Sequence, residues 1–278
     1  MSWNLQAAGR MIALAFVIAA ASAAYAQTFG RLDVPYVPTP PSVVKRMLEL
    51  AKVGKDDFVI DLGSGDGRIA IAAAKDFGAR ALGVDLDPQR ISEARENAAK
   101  AGVTDRVSFR QQNLFETVIK DATVVTMYLL SDVNMKLRPR LLEELRPGTR
   151  VVSHAFTMGA WQPDVHESVD GRDVFFWVVP ARADGQWTVR DGSRSFTMQV
   201  EQTFQELKGN AAIDGRPVPL VNARMNGDQI VFTLEIGGRP ETFQGKVTGD
   251  RMDATGGPVA TRHGWTATRA RAAGSKKG

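Results

Sequence analysis

The sequence predicts an α/β fold, a mostly parallel sheet closed by an antiparallel C-terminal hairpin, followed by a small all-β antiparallel domain. The stretch Asp57–Asp87, DFVIDLGSGDGRIAIAAAKDFGARALGVDLD, carries two short apolar runs, Phe58–Ile60 and Ala81–Val84. Each ends on an acid, Asp61 or Asp85, and an Ile/Ala-rich helical stretch lies between them, which makes a β-α-β unit. Val165–Val169 and Asp173–Val179 flank Asp170-Gly171, a strong hairpin signal. From residue 185 onward, turn pairs recur at Asp191-Gly192, Asp214-Gly215, Asn226-Gly227, Gly237-Gly238, Gly249-Asp250 and Gly256-Gly257. Between them lie alternating segments such as Gln229–Glu235, the pattern of a meander curled into a small barrel or sandwich.

At 278 residues, 44% hydrophobic and 24% charged, the chain is an ordinary globular protein with room for one large or two ordinary domains. The formal charge of +4 is mild. Arg269, Arg271, Lys276 and Lys277 read as a solvated tail rich in Ala, Gly and Ser, so no nucleic-acid partner is expected. The absence of cysteine excludes disulfides, thiolate metal sites and Cys nucleophiles. His154, His166 and His263 are too dispersed to suggest a zinc set, and no metal is expected.

Residues 1–26 stand apart from the fold. Arg10 precedes the uncharged run Met11–Ala24, and Ala24-Tyr25-Ala26 offers the small residues a signal peptidase reads. The run is shorter than the roughly 17–25 residues of a spanning helix. The expectation is therefore export to the periplasm, or attachment to the inner membrane through this segment. A cytoplasmic chain would follow if the start codon is mis-called. The organisation expected is residues 1–26 as signal or anchor, 27–182 as the α/β domain, 185–270 as the β domain and 271–278 as a basic tail.

In chain order, Val34-Pro35-Tyr36-Val37-Pro38-Thr39-Pro40-Pro41 is extended by its prolines. Thr39 is placed to cap a helix beginning at Pro40 or Pro41, with Val44, Met47, Leu48 and Ala51 on its apolar face. Asp87-Pro88 starts a helix that Gly102 ends. Ile91, Ala94 and Ala98 face the sheet, whereas Arg90, Glu93, Arg95, Glu96 and Lys100 read as a solvated charge face. Val107–Gln111 is the third strand, Ala122–Leu130 the fourth and Val151–Phe156 the fifth. Pro139 reads as the first turn of a helix carrying Leu141, Leu142 and Leu145. Trp187, Phe196, Phe204, Phe232, Phe243 and Trp265 are expected to fill the core of the β domain.

Gly63, Gly65 and Gly67 stand at alternate positions between the first strand and its helix, so the backbone can approach a ligand closely. A dinucleotide turn would place its third glycine one residue later, and Asp61 would repel a diphosphate but attract an ammonium. Asp85 lies where an acid can accept from ribose hydroxyls. A nucleoside with a cationic tail is S-adenosylmethionine (SAM). Val59–Arg68 with Gly83–Asp87 resembles motif I and the following acidic motif of class I (seven-strand) SAM-dependent methyltransferases. Thr126–Leu130, Asn134–Leu142 and Pro147–His154 are similar to a bacterial branch of that class. The branch is itself similar to mitochondrial protein-lysine methyltransferases that modify an ATP synthase membrane subunit and the ADP/ATP carrier. The resemblance runs from about Val34 to Pro180.

This resemblance implies a Rossmann-like sheet with SAM as cofactor, held at Asp61, Gly63, Gly65, Gly67, Asp85 and Asn113. Asn113 stands where the family usually has an acid that accepts from the adenine amino group, and an Asn oxygen can accept that bond too. It also implies that the segment before the first strand folds over the pocket, where Tyr36 and Thr39 either touch ligand or substrate or pack on the sheet edge. Tyr128 is the catalytic candidate, orienting an amine through its hydroxyl or ring face, with a buried core aromatic as the alternative. His154 reads as a satisfied polar group beside the core. The expected activity is N-methylation of a protein lysine. The alternatives are a small-molecule or lipid amine acceptor, or an exported binding module that keeps the fold without turnover.

Overall fold

A computed structural model of the chain describes residues 36–256, 261, 262 and 264–270. The expectations for residues 1–26, Val34, Pro35, Gly257, His263 and the 271–278 tail lie outside the described residues. Helix α1 (Pro41–Leu50) starts on a proline, whose missing N–H would have no intrahelical partner there, and buries Val43, Val44, Met47 and Leu48 along one face. Its cap position is Pro40, which has no side-chain donor or acceptor to offer. Thr39 sits one residue too early to cap, and its hydroxyl bonds His154 Nδ1 at 3.0 Å instead.

The expected β-α-β unit is β1 (Phe58–Leu62), α2 (Arg68–Phe77) and β2 (Arg80–Asp85), with β1 parallel to β2 and Asp61 opposite Gly83. Helix α3 (Pro88–Ala101) is capped by Asp87, whose carboxylate accepts from Gln89 N–H at 2.8 Å, and ends on Gly102 at φ +68°. Then come β3 (Val107–Gln111), β4 (Val124–Met127), α4 (Ser131–Glu144), β5 (Arg150–His154), β6 (Val165–Val169) and β7 (Arg172–Val178). They form a 7-stranded sheet in the order β3-β2-β1-β4-β5-β7-β6, parallel except where β7 runs against β5 and β6. Chain order reverses between β1 and β4. In an open α/β sheet that switch point opens a crevice at the C-terminal strand ends, here beside Asp61 and Tyr128.

Several elements differ from the expectation for physical reasons. Pro139 lies inside α4 and does not start a helix. Its lost N–H is tolerated because Val133, Leu137 and Leu141 are buried and Arg138 and Arg140 tie the helix to neighbouring loops. Strand β4 is shorter than expected, so Tyr128 falls just past its end. Strand β5 stops at His154, where Ala155 takes φ +65° and turns the chain after a last N–H bond to Asp173 O at 2.7 Å.

The second sheet comprises β8 (Gly185–Asp191), β9 (Arg194–Thr203), β10 (Glu206–Ile213), β11 (Arg216–Pro219), β12 (Val221–Asn226), β13 (Gln229–Ile236), β14 (Arg239–Thr248), β15 (Arg251–Ala254), β16 (Thr261–Arg262) and β17 (Thr266–Arg269). Strand β9 pairs with both β8 and β10, and β10 meets β12 at Glu206–Arg224, so the sheet closes on itself as a barrel. A barrel of this size is filled by side chains. Phe232 stacks on Phe243 with centroids 5.0 Å apart, and Trp265 meets both edge-on. Gly245 makes the room for that indole, since a Cβ there would lie 2.6 Å from it.

Two expectations for this region are corrected. Arg269 is no tail residue: it belongs to β17, stacks over Trp187 at 4.3 Å and bonds Arg182 O and Asp250. Phe204 does not fill the barrel. It sits in the two-residue β9–β10 turn at φ +56° and packs against the α/β half, with its ring 6.1 Å from Trp161 and under Arg138 at 5.5 Å. A bulky residue at such a φ costs roughly 1–2 kcal/mol. An aromatic contact worth about 0.5–1.5 kcal/mol beyond its buried area offsets much of that.

Candidate active site

The first turn of the β-α-β unit is held by backbone bonds. The N–H groups of Gly63 and Ser64 both donate to Val84 O at 2.9 Å, and Gly67 N–H donates to Ser64 O. Asp85 completes it: one carboxylate oxygen accepts from Gly65 N–H at 2.8 Å and the other from Asp87 N–H at 2.9 Å. Each oxygen keeps a second lone pair for a ligand hydroxyl.

A cleft open to solvent lies over this turn. Asp61, Gly63, Gly65, Asp85 and Tyr128 all line it, together with Tyr36 and Thr39. Gly67 does not line it. A Cβ there would press on Phe109 and Ala94, so this glycine lets α2 pack closely and leaves ligand approach to Gly63 and Gly65. Asn113 is also outside the lining: its Oδ1 accepts from Phe115 N–H at 3.0 Å, capping the short 3-10 turn Leu114–Glu116, and Gln112 faces the cleft in its place. Arg90, expected on a solvated face, lines the cleft as well, with its side chain only 17% exposed and its guanidinium 4.5 Å over the Tyr36 ring. The first turn of α3 starts at the tip of β2, and this brings Arg90 back over the site.

Two polar atoms in this cleft are buried without a partner among the described residues, Asp61 Oδ2 and Ser64 Oγ. The other Asp61 oxygen accepts from Thr126 Oγ1 at 2.8 Å. Burial pushes the Asp61 carboxyl up to about 7; the Thr126 hydroxyl opposes this, and the charges of Asp85 and Asp66 add to it. A buried carboxylate with one orphaned oxygen is stabilised by a cationic donor, and the ammonium of SAM is one. The residues present thus fit the cofactor: Asp61 for the amino end, Asp85 for ribose, and Gly63 and Gly65 for close approach. Ser64 carries no signal of its own in the sequence beyond its place between Gly63 and Gly65.

Residues 36–40 cross the cleft as a strap. The Tyr36 ring lies against Gly65, where a Cβ would approach it to 2.7 Å. Arg68 donates to Thr39 O at 2.9 Å while pairing with Asp66 at 2.6 Å. Thr39 then reaches His154, which is buried to 1% exposure. Burial, helped by the positive charge of Arg172, holds the His154 imidazole down to about 4, so it is neutral at physiological pH. Its ring lies 3.9 Å from that of Tyr128, which also stacks on Phe156 at 6.1 Å. Of these three rings Tyr128 faces the cleft, with the uncharged His154 and Phe156 packed against it. Among the described residues, no cluster of His, Asp or Glu is placed to hold a metal ion.

The sheet order, the glycine turn and the two strand-tip acids define a class I SAM-dependent methyltransferase. Comparison with known proteins narrows this. A family model described as the ANTKMT methyltransferase domain matches residues 61–165. A protein-lysine N-methyltransferase of Saccharolobus islandicus (strain REY15A) is 54% identical over 151 residues, which is 52% of this chain and 94% of that protein. The adenine nucleotide translocase lysine N-methyltransferase of Mus musculus is 37% identical over 133 residues, 48% of this chain and 58% of its own length. A solved structure described as an RNA methyltransferase from Salinibacter ruber, in complex with S-adenosyl-L-homocysteine, shares 56% identity with a TM-score of 0.52, covering 52% of this chain and 95% of that one. The chain belongs to the class I SAM-dependent methyltransferases, in the branch that includes the Saccharolobus enzyme, and SAM is its cofactor.

Proposed function

We propose that this enzyme methylates the side-chain nitrogen of a protein lysine. The observation that carries the reading is the 54% identity over nearly the whole length of a protein-lysine N-methyltransferase. The site is compatible with it. SAM supplies a methyl group already activated on a sulfonium, so the chain's own task is positioning more than acid–base chemistry. Asp61 and Ser64 hold the amino end, Asp85 holds ribose, and Tyr128 orients the acceptor nitrogen from the opposite wall. His154 is neutral and backs the Tyr128 ring, so it adds no charge beside the acceptor. Burial against an uncharged aromatic wall favours the neutral amine, the form with a free lone pair.

The description of the Salinibacter structure favours a second reading, methylation of RNA. Against it, the arginines at the mouth are ion-paired within the fold, Arg68 with Asp66 and Arg90 with Glu93, and this lowers their value as phosphate contacts. The apolar segment Met11–Ala24 supports a place at the inner membrane, and a membrane protein as acceptor accords with that. An uncleaved chain on the cytoplasmic side would stay with its SAM supply, which N-terminal sequencing of fractionated native protein tests. For the acceptor, the test is incubation of a membrane extract with methyl-labelled SAM. Label on lysine in the protein fraction is expected; label only in RNA, lipid or low-mass fractions overturns the assignment.

A further inference from the structure

We propose that the C-terminal barrel sets the acceptor side of the cleft, with Phe204 as a positioning residue that acts through Trp161 and Arg138 on the segment 154–161. The inference rests on the methyltransferase site described above. It goes beyond the comparisons, because 94% of the Saccharolobus relative is matched within 52% of this chain, so a domain of this size lies outside the match.

The first observation is an outlier. In a two-residue hairpin loop with positive φ at its first position, glycine is the residue that fits. Thr203 pairs with Glu206 across just such a loop, and the first loop residue is Phe204 at φ +56°. A phenylalanine in that conformation is retained only where its ring is held by something outside the turn. The ring is held by Trp161 and Arg138, both in the α/β half. The second loop residue crosses too: Gln205 Oε1 accepts from Trp161 Nε1 at 3.0 Å, and its Nε2 donates to Gln162 O at 2.8 Å. A neighbouring barrel turn docks at the same end, with Ala181 N–H donating to Gly227 O at 2.8 Å.

The second observation is what these contacts hold. From His154 to Trp161 the chain leaves β5 through the strained Ala155 and makes no regular strand or helix. Its carbonyls are tied one by one: Phe156 O and Thr157 O accept from Asn134 Nδ2, Met158 O from Arg138 at 2.8 Å, and Trp161 O from Trp177 Nε1 at 2.9 Å. The same Arg138 lies over Phe204, and the segment's own Phe156 stacks behind Tyr128. A continuous set of contacts therefore runs from the barrel turn to the residue that faces the acceptor, and it bypasses Asp61, Gly65 and Asp85.

The test uses the full chain as wild type, Phe204→Gly and Phe204→Tyr. Glycine suits the turn, so the melting temperature of Phe204→Gly stays near wild type while the ring contact is lost. Hydrogen exchange in residues 154–162 is expected to rise about tenfold in that variant, with residues 58–67 unchanged. Calorimetric affinity for S-adenosyl-L-homocysteine stays the same, KM for a lysine-bearing protein acceptor rises about tenfold, and Phe204→Tyr restores both readouts. Unchanged exchange in residues 154–162 overturns the inference, as does a parallel loss of nucleoside affinity. If wild type transfers no methyl to lysine, the acceptor assignment fails while the exchange result still decides this proposal.

Discussion

The two walls of the cleft are built by opposite means. The cofactor wall is local: Asp61 lies near the end of one strand, Ser64 and Gly65 follow it, Asp85 ends the next, and backbone amides do the holding. The acceptor wall is assembled from distant pieces. Thr39 meets His154 across 115 positions of sequence, Tyr128 comes from a third place, and the barrel reaches in through Gln205 and Phe204. A wall made of one supersecondary unit suits a fixed ligand shared by many enzymes. A wall made of long-range side-chain contacts can vary with the acceptor while the first stays constant.

That contrast yields graded expectations. Asp85→Ala is expected to have the largest effect, because it removes the carboxylate that holds the Gly65 and Asp87 amides and that we propose as the ribose acceptor. At roughly 1.5–3 kcal/mol for hydrogen bonds to a charged group, SAM affinity falls about a hundredfold or more by calorimetry. The residue points into the cleft, so from sequence the fold around it is expected to stay intact; with two amides on its oxygens, the turn itself loosens. Tyr128→Phe is smaller, about a tenfold loss in kcat/KM for the acceptor with SAM affinity unchanged. Equal turnover would remove the hydroxyl from the mechanism and leave the ring face. Asn113→Ala is smallest, within about threefold in SAM affinity, since its oxygen is engaged by Phe115. Gln112→Ala costs more than Asn113→Ala in the same titration; the reverse order would show that the loop rearranges around adenine.

What was legible in the sequence follows the same division. The strands and glycine turn of the α/β half are readable because period, turn residues and strand-tip acids all lie within one short stretch. The Asp170-Gly171 hairpin is readable because both residues take the positive φ that the pair signals, +50° and +73°. The place of Arg90 was not, because a helix that looks charged and solvated begins its first turn over the cleft. Neither was the Phe204 turn, which carries no Gly, Asn or Asp and owes its shape to a tryptophan in a loop of the α/β half. Thr39 looks like a helix cap until the position of His154 is known. Local chemistry can be read along the chain, but contacts between distant segments need the fold.

Cofactor recognition turns most on Asp61, whose carboxyl is pushed up to about 7 by burial and has one oxygen without a partner among the described residues. Its folded value lies above the ordinary carboxylate value of 3.8, so in the ligand-free protein this group's contribution to stability is present below that value and is lost as pH rises through about 7. An ammonium needs the ionised form, so binding gains over the same range. The decisive measurement is calorimetry of SAM binding to wild type and Asp61→Asn from about pH 6 to about pH 8. The wild-type affinity should climb with pH more steeply than that of the variant, which should bind about tenfold more weakly at the upper end. Parallel curves, or an Asn variant that binds as tightly as wild type, would contradict the role assigned to this carboxylate.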